Sequence, residues 1–168
     1  MNKRIYAYAV VLSILFASLF IYAQQSKPGV LGPEEVKKAV PAAFFFAGQS
    51  APVQLRNSGG FRAGNKLVLA GLVDASGYAS DVKAKYQGFL ITEVKLNVEG
   101  TNLPPGQYGF GFLSDGKFLV MDVGQNELAS VSAHVDENLH RPVPLKLVAE
   151  GDAYRLYAGK KYVTLKAE

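Results

Sequence analysis

The sequence predicts a mainly β protein: a single antiparallel β-barrel or β-sandwich of about eight strands with one or two short helices. Two observations carry this expectation. From Phe44 onward, apolar residues either alternate with polar ones or run in short blocks of strand length. Between the blocks fall Gly-containing turn signals at the spacing of an all-β domain. No internal repeat or composition break marks a second domain, so residues 33–168 read as one unit behind a linker, 24–32.

Residues 1–23 precede that unit and differ from it. Lys3 and Arg4 lead an apolar stretch from Ile5 to Ala23, broken only by Ser13 and Ser18 and followed by the polar run Gln24–Lys27. A positive flank, an apolar centre and a small residue at the exit spell a secretory signal peptide. The stretch also approaches the roughly 20 residues of a spanning helix, so an uncleaved anchor is the alternative. Either way the domain is expected outside the inner membrane, in the periplasm, at the cell surface or in the medium. Membrane contact is expected only through this segment, if it is retained. Its loss removes two of 18 basic residues and lowers the formal charge from +4 to +2. With no cysteine in the chain, a disulfide scaffold, thiolate metal sites and thiol catalysis are excluded.

Pro33 to Val40 reads as a two-turn helix, with proline where its missing N–H costs nothing and Glu34 and Glu35 at the positive end of the dipole. Pro41 stops it, and its shortness requires an apolar dock. Lys66 to Asp74 is apolar on both faces, a buried strand with Gly71 marking a bend or bulge. Ser80 to Gln87 is helical, with Gly88 beyond its end. Phe89 to Val98 alternates as one amphipathic strand with Leu90, Val94, Leu96 and Val98 inward.

Asp115–Gly116 suits a two-residue type I′ turn, which sets Phe112 opposite Leu119, Phe110 opposite Met121 and Tyr108 opposite Val123 on the core face. Glu127 to Asp136 fits either a strand or a helix capped by Asn126. Its β-branched content favours the strand, with Ala129, Val131, Ala133 and Val135 inward. At the C-terminus, Gly151–Asp152 and Gly159–Lys160 each put glycine first, as a type II′ turn needs. One register then aligns Leu147, Leu156 and Val163, and also Ala149, Tyr154 and Leu165, in a three-stranded meander.

The chemistry-bearing residues are sparse. His134, Asp136 and His140 could offer three ligands, but their spacing matches no standard zinc pattern. Ser130, Ser132, His134 and Asp136 share one strand face about 6.6 Å apart, too far for a triad. Asp122 and Glu127 flank a turn and supply too few oxygens for calcium. Tyr154, Tyr157 and Tyr162 interleave with Arg155, Lys160 and Lys161, yet the low net charge of an exported domain argues against nucleic acid. No phosphate-binding or nucleophile-elbow motif occurs. No catalytic residue, metal site or cofactor is therefore assigned.

Two functional expectations follow. In the first, a small or apolar ligand binds beside the aromatic row Tyr108, Phe110 and Phe112, where Gly109 and Gly111 leave clearance. In the second, an envelope protein is contacted through a sheet edge or through Phe44, Phe45 and Phe46. Three consecutive aromatics on a strand cannot all face one core, and the helix at Pro33 is the default dock for them. An enzyme is the third and least supported class.

Overall fold

A computed structural model describes residues 29–168; the leader expected over 1–23 and the linker up to residue 28 lie outside the described residues. In chain order the elements are β1 (Gly29–Val30), α1 (Pro33–Ala39), β2 (Ala43–Phe46), β3 (Gln49–Ala63), β4 (Lys66–Val73), α2 (Ser80–Lys85) and β5 (Gly88–Thr92). There follow β6 (Leu96–Val98), β7 (Thr101–Leu103), β8 (Gly106–Phe112), β9 (Lys117–Met121), β10 (Glu127–Ser132) and β11 (His134–Val135). The chain closes with β12 (Val143–Glu150), β13 (Ala153–Gly159) and β14 (Lys161–Ala167). Strands account for 59% of these residues and helices for 9%. All pairing is antiparallel, in two sheets. The larger runs β1-β3-β4-β5-β8-β9-β10 with β2 attached to β3, and the smaller runs β12-β13-β14-β6-β7 with β11 attached to β14.

The fourteen segments exceed the eight or so expected because several strands break where the chain passes from one sheet to the other. Phe89–Val98 is not one strand. Its first half lies in the large sheet as β5 and its second half in the small sheet as β6. At the break, the Thr92 hydroxyl bonds the backbone of Val94. Leu90, Val94, Leu96 and Val98 still share one core, so the expected face holds although the strand does not. Residues 127–135 behave alike: β10 pairs with β9 and β11 with β14. Ala129, Val131 and Ala133 face inward as expected, but Val135, past the crossing, is 53% exposed.

Two apolar clusters explain why Lys66–Val73 is apolar on both faces. The inner cluster joins the sheets: Phe61, Val68, Leu90, Phe110 and Phe118 of the large one meet Leu147, Leu156, Val163 and Leu165 of the small one. Phe61 and Tyr154 stack across it with centroids 3.7 Å apart. The outer cluster lies on the opposite face of the large sheet, where α1, the β2–β3 hairpin and the Tyr78–Tyr86 segment cover Leu69, Phe89, Leu119 and Met121. Each fully buried large apolar side chain contributes roughly 1.5–3 kcal/mol. Gly71 lies within the β4 ladder, and the irregularity falls on its partner, between Val53 and Ser58 of β3.

The β8–β9 register differs from the expectation by one residue. Phe112 pairs with Phe118, Phe110 with Val120 and Gly109 with Met121. The loop holds three residues, Ser114–Gly116: Leu113 N–H donates to Lys117 O at 2.7 Å, and Gly116 takes a left-handed φ of 86°. A one-residue slip exchanges the faces of a strand. Phe118 and Val120 therefore point between the sheets, and Leu119 and Met121 point to the outer cluster. Apolarity could not select the register here, because both faces of β9 are buried. The C-terminal meander matches its expectation from Lys146 onward: Leu147 pairs with Leu156 and Leu156 with Val163, while Ala149 pairs with Tyr154 and Tyr154 with Leu165. Only at the start of β12, between Val143 and Lys146, does the register shift by one residue. In both turns positive φ falls on the glycine alone, 61° at Gly151 and 68° at Gly159, as type II′ requires.

Helix α1 starts from Gly32, whose N–H donates to Glu35 Oε2 at 3.0 Å, and Glu35 also pairs with Arg62 of β3 at 2.9 Å. The Gly32 N–H, then the Arg62 guanidinium, hold the Glu35 carboxyl below its ordinary value. A carboxyl depressed in the folded state stabilises above its unfolded pKa and loses that contribution as pH falls through the folded value. Glu35→Gln is therefore expected to flatten the acid limb of the stability curve below about pH 4.3, the ordinary glutamate value. Urea midpoints at pH 7 and pH 3 check this: the variant's deficit should shrink at the lower pH.

Candidate functional site

The residues first expected to bind a ligand are divided between the two faces of β8. Tyr108, Phe110 and Phe112 are buried in the inner cluster, and the Tyr108 hydroxyl donates to Pro104 O at 2.6 Å. Gly109 and Gly111 face the other way, and the protein itself occupies the clearance they provide. A Cβ on Gly109 would lie 2.8 Å from Cδ2 of Phe46, and one on Gly111 would lie 2.9 Å from the carbonyl carbon of Lys85, at the end of α2.

That arrangement follows from the Phe44–Phe46 run. Phe44 and Phe46 point into the outer cluster, where Phe44 stacks on Phe89 at 5.4 Å and Phe46 on Tyr86 at 4.0 Å. The Tyr78 hydroxyl reaches the carbonyls of Phe46 and Gln49, each at 2.9 Å. Tyr86 is buried with its hydroxyl unpartnered among the described residues, and burial pushes that hydroxyl's pKa up. Phe45, between the two buried rings, is 58% exposed.

β2 is the outermost strand of its hairpin. Phe46 pairs with Gln49 and Phe44 with Ala51, and Val53 N–H donates to Ala42 O at 2.9 Å. Antiparallel pairs alternate, so the peptide groups of Ala42, Phe44 and Phe46 face β3. Those of Ala43 and Phe45 face the opposite edge, where they have no strand partner among the described residues; Ala47, next along that side, donates its N–H to Val123 O at 2.9 Å. Along that edge lies a groove of about 490 Å³, floored by Leu67, Leu69 and Ile91 and closed by Glu93 and Gln107. The ladder accounts for its position. β2 crosses over the row Gly71–Phe89–Gly109, and the next row, Leu69–Ile91–Gln107, is covered only at one end: Leu69 is buried, Ile91 is half-buried and Gln107 is exposed. Glu93 is engaged at the rim, its Oε2 accepting from Leu67 N–H at 2.7 Å.

The polar candidates are held by neighbours. His134 Nε2 lies 3.2 Å from Glu99 Oε2, and Asp136 accepts from the Tyr157 hydroxyl at 2.9 Å. The Asn126 side-chain amide, donating at 2.8 Å, and then the backbone N–H groups of Asn126 and Gly124 hold the Asp122 carboxyl below the usual range, and Glu127 pairs with Lys85 at 2.8 Å. Tyr154 points inward, whereas Arg155 lies over the ring of Tyr162, 4.5 Å from its centroid. Among the described residues no three His, Cys, Asp or Glu side chains converge on one point.

Sequence reasoning named Phe44–Phe46 but missed the groove floor. Its signal was present in the outward alternation of Phe89 and Ile91, two large apolar residues on the face opposite Leu90. The chain matches no family model, no curated protein and no solved structure.

Proposed function

We propose that the protein is an exported interaction domain that takes an extended, alternately apolar segment of an envelope protein as an added strand on the outer edge of β2. The observation that carries this reading is the peptide edge of Ala43 and Phe45, without a strand partner among the described residues, beside the groove lined by Leu69 and Ile91, with Phe45 exposed along it. An added strand would lie about 4.8 Å from β2, over the partly exposed Ile91 and Gln107, and set every second side chain toward the floor. A second copy's β2 is a poor occupant. A two-fold axis pairing the two edges puts both supporting sheets on the same side, where this chain's own sheet already stands. The partner segment therefore needs a free underside. The scaffold is read as a sandwich rather than a closed barrel, since among the described residues β12 pairs only with β13 and lies beside β3 without a ladder.

Photo-crosslinking from position 45 in the producing cells tests the reading. A discrete polypeptide adduct, mapped to an extended segment with alternating apolar residues and lost in Ile91→Lys, is the expected result. Labelling of lipid alone, or an adduct that survives Ile91→Lys, would sink it.

A further inference from the structure

A second groove, remote from the β2 edge in its lining, lies at the seam where the large and small sheets meet without pairing. It holds about 450 Å³ between α1, β3 and β12. Leu31, Leu147 and Leu145 line its depth, and Val30 and Leu55, 44% and 42% exposed, form its walls. Isolated exposed apolar residues need no explanation, but two of them facing one recess form a patch.

The charge at this groove is as particular as its apolarity. Lys37, Arg56 and Lys146 line it, against one carboxylate, Glu34. Among the described residues none of these three cations has an ion-pair partner. A cavity of about 590 Å³ at one end of the sheets is the contrast. Its rim charges Arg62, Asp152 and Glu168 are all neutralised, by Glu35, Lys166 and Lys95. An apolar recess bordered by three unneutralised cations is complementary to a molecule with an apolar body and an anionic head. Its volume lies in the range of a small-ligand cleft.

We infer that this seam groove binds a single-chain amphiphile with an anionic head, its chain along Val30, Leu55 and Leu145 and its head among Lys37, Arg56 and Lys146. The inference does not rest on strand addition at β2, and either can fail without the other. Each methylene buried in the groove should tighten binding about fourfold.

Calorimetric titration of the protein isolated from its producing cells, below micelle-forming concentrations, tests this with three probes of equal chain length: dodecanoate, dodecyl maltoside and dodecyltrimethylammonium. Dodecanoate is expected to bind at least about tenfold more tightly than the other two, and decanoate about 15-fold more weakly than dodecanoate. The combined Lys37→Gln, Arg56→Gln and Lys146→Gln variant should lose the preference for the anion while its thermal midpoint is kept. If the triple variant does not fold, the three single variants should each lose part of the preference. Leu55→Ser should weaken all three probes. Absence of dodecanoate binding, equal affinity for the three heads, no dependence on chain length, or an unchanged preference in the glutamine variants would each overturn the inference.

Discussion

Phe46→Ala is expected to cost about 3–5 kcal/mol of stability, the range for removing a fully buried phenylalanine from a close-packed cluster. The ring is wholly buried, stacks on Tyr86 and fills the space over Gly109. Its loss leaves a cavity that β2 cannot collapse into, because the strand is held to β3 and the Phe46 carbonyl is bonded by Tyr78. Gly109→Ala alone should also destabilise, by about 1–3 kcal/mol of overpacking against the same ring. Combined with Phe46→Ala it should cost much less, since the ring it would strike is gone. A coupling energy of about 1 kcal/mol or more in a denaturant-based double-mutant cycle is the expected result, and strict additivity would show that ring and glycine do not share one space.

Gly111→Ala should cost about 3 kcal/mol by a different route, at the upper end of ordinary overpacking. The new methyl group would meet the backbone at Lys85, not the end of a side chain that could swing away. That backbone is anchored. Tyr86 N–H donates to Val82 O at 2.8 Å, and Gln87 bonds Phe112 at both ends of its side-chain amide. Relief therefore requires α2 to lift from β8. Amide exchange should show protection lost first at residues 82–87, ahead of the meander at 143–167. A variant as stable as the parent, with α2 equally protected, would contradict this account of the glycine.

These two positions show how far the sequence could be read. The glycines at 109 and 111 announced a close approach, and the unbroken aromatics at 44–46 announced side chains in need of separate environments. That one fills the clearance left by the other is a contact between residues 63 positions apart, and no local pattern encodes it. The groove beside β2 escaped for the same reason. Its floor comes from β4 and β5, and its wall is a strand that crosses them.

Local chemistry alone determined the mainly β composition, the start of α1 at Pro33, and the register of the C-terminal meander from Lys146 onward. There a glycine-first two-residue turn permits one pairing, and one buried face confirms it. The same logic failed at Asp115–Gly116. Both faces of β9 are buried, so hydrophobic alternation could not tell a two-residue turn from a three-residue one. Only tertiary structure decided that register, the breaks at Glu93 and Ala133 where strands change sheets, and the pairing or isolation of each surface charge. Turns act over a few residues, and sequence carries them directly. Which face is covered, and by what, depends on segments brought together from across the chain.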